Sequence, residues 1–147
     1  MSRSEEDKAL NAVRRVRDSR EQDSRFGLQL ALNAARTRDA ELQQARDRRA
    51  AAAAFAAGSI ADFTAHVAHV ATLAALEVQA RDRVENSRLV ADEATRRWQL
   101  DRQQVRVVDL LLERRAELRA EERRRHEAHE LDDLATQAWL RNREVTA

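Results

Sequence analysis

The stretch Ala56–His66, "AAGSIADFTAH", decides the fold. It is the one place where residues that stop and start helices cluster, in a chain with two glycines and no proline. Proline breaks a helix interior and glycine weakens it by about 1 kcal/mol, so their scarcity elsewhere lets helices run long. Gly58 suits the C-terminus of one helix, and Ser59 or Asp62 suits the cap of the next. A turn is therefore expected over Ala57–Asp62, with helix one over about 4–56 and helix two over about 63–142.

The composition agrees. Apolar residues make up 43% of the chain, but much of this is alanine and aromatics are only 3%. Such a set cannot fill a layered core, whereas it can fill a narrow seam between two helices. Charged residues reach 36%, mostly Arg with Glu and Asp, which is coiled-coil usage. The expectation is an all-α chain: one coiled-coil domain over 1–147, a long antiparallel two-helix hairpin.

Working outward from the turn, Leu28, Ala31, Ala35, Leu42, Ala45, Ala52 and Ala56 follow three-four spacing on helix one, interrupted by Arg38 and Arg49. Before them the seam is weaker. Leu10, Val13 and Val16 begin it, then Arg20 and Asp23 intervene, and Gly27 suggests a bend or a close contact. On helix two, Ala80, Val84, Ser87, Ala91, Ala94, Trp98, Asp101, Val105, Val108 and Leu112 alternate steps of four and three. That is the heptad of a left-handed supercoil. The same register then lands on Arg115 and Arg119, where the seam is expected to end. A hairpin turning near residue 60 exhausts helix one at the same place, so a C-terminal helical overhang is expected from about Ala116.

Charge and composition argue against several alternatives. A net charge of +1 with signs interspersed gives no basic face for nucleic acid. Without cysteine there is no disulfide or thiolate chemistry. No apolar run approaches the roughly 20 residues of a membrane span, and "MSRSEEDKAL" has no apolar signal core. A cytoplasmic chain without direct membrane insertion is expected.

The stretch "RRRHEAHELDDLA", Arg123–Ala135, sets His126 and His129 among carboxylates. The histidines stand three apart, not four as in the HExxH zinc motif, and no second ligand cluster closes a site. A solvated helical face is expected there, and equally at His66 and His69, so no metal and no cofactor. No phosphate loop or nucleophile elbow is present, and no pocket-forming fold is expected, so no catalytic residues and no enzyme are expected. Trp98 falls on the seam. Trp139 falls in the overhang near Leu131, Leu134 and Ala138, an apolar stripe with nothing in the hairpin to cover it. Such stripes mark partner contacts.

The segment Thr95–Ala135 resembles the C-terminal signature of the flagellar FliJ family. The resemblance rests on Trp98, Leu111–Leu112, Glu113–Arg114 and Asp132–Asp133–Leu134–Ala135, with Asp–Asp where the family often has Asp–Glu. "AAGSIADFTAHVAHVATLAAL" is similar to the family's turn and second-helix start, and "AVRRVRDSREQDSRFGLQLAL" to its first helix. The resemblance implies a non-enzymatic coiled-coil stalk of the flagellar type III protein export apparatus, at the cytoplasmic face of the membrane near the flagellar base. The implied partners are the hexameric export ATPase FliI, the export-gate protein FlhA and export chaperones. The ATPase contact would fall on Arg123, Arg124, Arg125, Leu131, Asp132, Asp133, Leu134 and Trp139. The gate contact would fall on His66, His69, Leu73 and Leu76, where the family often has aromatics in place of the two histidines. The rival readings are a generic coiled-coil scaffold, which should continue its heptad to pair with another copy, and a nucleic-acid-binding rod, which should bind with steep salt dependence.

Overall fold

The computed structural model describes residues 3–145. Among them it consists of two helices, α1 over Arg3–Ala52 and α2 over Ile60–Val145, joined by a short turn into an antiparallel hairpin.

The turn begins earlier than the glycine suggests. α1 stops at Ala52 rather than near residue 56, and α2 starts at Ile60 rather than 63. Ser59 explains the second boundary. Its backbone N–H donates to Asp62 Oδ2 at 2.8 Å, and the Asp62 N–H donates to Ser59 Oγ at 3.2 Å. This reciprocal cap satisfies amides that the first helical turn leaves open. Gly58 is not the C-cap of α1, because no glycine here has the positive φ of that position. Its role is space. A Cβ at Gly58 would lie 2.9 Å from Asp62 Cβ and 3.1 Å from Phe55 Cζ. Phe55 folds back onto α2, with its ring 5.4 Å from Phe63 and 5.3 Å from His66.

The chain groups into two compact units. One is Arg17–Gln103, which contains the turn. Its core is Leu42 with Ala80 and Val84, flanked by Ala45, and Ala31 and Ala91 are also buried. Besides Asp18, Glu41 and Ala52, the covered positions on α1 in this unit are Arg17, Glu21, Ser24, Leu28, Ala31, Ala35, Arg38, Leu42 and Ala45. That is an unbroken three-four series, so Glu21 and Ser24 occupy the seam and the expected interruptions, Arg20 and Asp23, face outward. A Cβ added at Gly27 would meet nothing within 4 Å, so the glycine marks no close contact. Trp98 is half-buried on the seam, and its indole N–H donates to Glu21 Oε1 at 2.7 Å.

The other unit is Met1–Val16 with Gln104–Ala147. Val108 is buried there, and Leu10, Val105 and Leu112 are half-buried. Val13 and Val16 are exposed, because Leu10 and Arg14 hold the seam instead. Arg115 and Arg119 do not end the register as expected. They continue it in ionic form, both paired with Asp7, while Arg14 Nε pairs with Asp109 Oδ1 at 2.6 Å. The overhang accordingly begins after Ala120, not at Ala116: every residue from Glu121 to Arg143 is exposed.

Candidate interaction surfaces

Three features of the hairpin carry side chains that its packing does not use up: the overhang, the tip, and an acid held in the seam.

The seam of α2 runs through Val105, Val108, Leu112, Arg115 and Arg119, in steps of three and four. Continued at the same step it reaches Glu122, His126, His129 and Asp133. Leu131 and Leu134 fall between these steps and so lie on the opposite side of the helix. The apolar stripe is therefore not an uncovered piece of seam. It faces away from the side on which α1 packs, and a longer first helix would not cover it. Leu131 is 66% exposed, and Leu134 and Trp139 are each 58% exposed, so more than half of each residue is open to solvent. Arg143 stacks over the Trp139 ring at 5.2 Å.

The eight residues expected to form one contact do not share one face. Leu131 and Leu134 lie on the outer stripe, with Arg124 seven residues before Leu131 on the same line. Arg125, Asp132 and Trp139 stand seven apart along one flank, Arg123 lies on the other, and Asp133 lies on the seam side. Arg125 is engaged with Glu121 at 2.5 Å. Each histidine also lies near a carboxylate one turn on, with His126 Nδ1 3.7 Å from Glu130 and His129 Nδ1 3.6 Å from Asp133. Among the described residues no group of three potential metal ligands exists.

At the tip, Asp62 is the only formally charged residue between Arg49 and Glu77. The bonds from Ser59, side chain first and backbone second, hold the Asp62 carboxyl below its ordinary range. Ile60, Phe63 and Val67 are exposed around it, and so is Leu76. These apolar tip residues, apart from Leu76, are absent from the sequence-based set. The uncharged run is the signal that would have found them. The four expected gate residues split in two. His66 and Leu73 are half-buried on the seam, whereas His69 and Leu76 are exposed one heptad apart on an outer line.

Glu77 is the buried acid, only 7% exposed. Arg49 donates to its Oε2 at 2.9 Å, Arg81 donates to its Oε1 at 3.2 Å, and Arg46 lies 3.8 Å away. The Arg49 hydrogen bond is the main reason its carboxyl is held below the ordinary range, against the opposing effect of burial.

Residues 6–144 match the sequence model of the family described as Flagellar FliJ protein. No curated protein and no solved structure matched the chain. The match covers almost the whole sequence, and the chain belongs to the flagellar FliJ family, which makes it a component of the flagellar export apparatus.

Proposed function

We propose that this FliJ-family chain is a non-enzymatic stalk and adaptor of the flagellar type III export apparatus. In this reading it engages the hexameric export ATPase through the overhang, and the export gate and its chaperones through other surfaces including the tip. It works at the cytoplasmic face of the membrane, and no helix among the described residues is long and apolar enough to cross one. The observation that carries the reading is the overhang: a single exposed helix from Glu121 to Arg143 with Leu131, Leu134 and Trp139 open to solvent.

Burying a Leu or Trp at an interface contributes about 2–3 kcal/mol, whereas an exposed ion pair contributes under about 1 kcal/mol. The apolar residues then supply affinity, and Arg123, Arg124, Arg125, Asp132 and Asp133 supply orientation and encounter rate. At the tip, His69 and Leu76 are the accessible half of the gate set, with His66 and Leu73 supporting them from the seam side.

The test is binding of the purified chain to a flagellar export ATPase, comparing wild type with Leu131→Ala/Leu134→Ala and His126→Ala/His129→Ala. Loss of binding in the leucine variant alone, with helicity unchanged by circular dichroism, supports the reading. Normal binding by the leucine variant removes it.

A further inference from the structure

The two units close their seams with a different balance of contacts, although Arg49–Glu77 and Arg88–Asp39 also bridge the helices within Arg17–Gln103. In Arg17–Gln103 the buried positions are mostly apolar: Ala31, Leu42, Ala80, Val84 and Ala91. In the other unit Val108 is the one buried hydrophobic residue among those described. Leu10, Val105 and Leu112 are half-buried beside it, and the remaining seam contacts are ionic. Asp7 bridges Arg115 and Arg119, and Arg14 pairs with Asp109. These side chains are a quarter to two-fifths exposed, so water and salt reach them.

We propose that the first turns of α1, up to Val16, act as an electrostatic latch: they open from α2 independently of the Arg17–Gln103 unit and are held shut by the Asp7–Arg115/Arg119 and Arg14–Asp109 pairs. Partly exposed ion pairs weaken as salt shortens the screening length, from about 10 Å at 0.1 M to about 3 Å at 1 M. Buried apolar contacts do not weaken in this way. The latch is thus released by conditions that leave the rest of the hairpin shut. Release bares Val105, Val108 and Leu112 on α2 and extends its single-helix portion from Ala120 back to about Gln104. The inference stands on the packing of this chain alone, whichever partner binds the overhang.

Native-state hydrogen exchange on the full chain tests it. Local opening and global unfolding are distinguished by which amides exchange together. In low salt, amides of residues 5–16 should be protected. In about 1 M sodium chloride they should exchange roughly tenfold faster, while amides of residues 80–95 hold their protection. Asp7→Asn with Asp109→Asn should give the fast exchange already in low salt and remove the salt response. Asp7→Leu with Arg115→Leu and Arg119→Leu should restore protection at every salt concentration. Protection that falls equally along both units would overturn the latch, because the hairpin would then open as one body. So would protection of residues 5–16 that neither salt nor the asparagine variant changes.

Discussion

Arg49 on α1 reaches across the hairpin to Glu77 on α2, and their hydrogen bond of 2.9 Å lies at an otherwise apolar stretch of seam. Arg46 and Arg81 add to the same carboxylate. Removing the acid leaves three guanidinium groups facing one another at a covered position. Glu77→Ala is expected to lower the melting temperature more than Arg49→Ala does, since after the arginine change two partners remain. Equal effects in thermal melts would mean that the cluster adds nothing beyond one pair.

The acid limb of stability follows from the same group. Glu77 and Asp62 both have folded-state values held below their ordinary range, Glu77 chiefly by Arg49 and Asp62 chiefly by Ser59. A lowered folded value means the unfolded chain takes up protons first as pH falls. The stabilisation is fully present above the ordinary carboxylate range and is lost as pH drops through the lowered folded values. Glu77→Gln is expected to flatten that limb in urea melts recorded between neutral pH and pH 3. An unchanged slope would remove Glu77 from the account.

The two glycines should respond in opposite directions. Gly27 has open space around its Cα inside α1, so Gly27→Ala should stabilise by about 0.5–1 kcal/mol through helix propensity. At Gly58 the new Cβ would press on Asp62 and Phe55 beside the cap. Gly58→Ala should destabilise by about 1 kcal/mol, the typical cost of losing a cap. Urea denaturation of both variants checks the pair, and a gain from Gly58→Ala would show that the turn relaxes freely.

Leu42 and Leu131 are the same residue type in opposite settings, 7% and 66% exposed. Leu42→Ala should cost about 2–4 kcal/mol, because it removes the side chain that packs on Ala80 and Val84. Leu131→Ala should change stability by less than about 0.5 kcal/mol. Comparable losses at the two positions in equilibrium unfolding would mean that Leu131 is covered in solution.

The apolar half of this architecture is plain in the sequence because alternating steps of three and four print mostly as Ala, Val and Leu from Ala80 to Leu112, with only Ser87 and Asp101 polar. The half that reads poorly is polar. Asp7, Arg14, Glu21 and Ser24 hold seam positions on α1 as regularly as Leu28 and Ala31 do, but a search for hydrophobic period passes over them. Neighbouring Val13 and Val16 then supply a false register. Arg115 and Arg119 look like the end of pairing for the same reason, until Asp7 is seen between them. The overhang is legible from arm lengths alone. The side of the helix that carries its leucines is not legible until the true seam is fixed, and with it the split of the expected contact residues into separate lines.

The outward stripe on the overhang has a consequence for how such a chain can change over time. Its fold is specified by one side of α2, and the candidate recognition surface is written on the other. In the proposed reading, substitutions at Leu131 and Leu134 on that side, and at Trp139 on the flank, alter what the helix recognises without touching the residues that make it pair. A lineage, or an engineer, can therefore exchange partner specificity there while the hairpin stays intact, and drift in the hairpin does not erase the specificity.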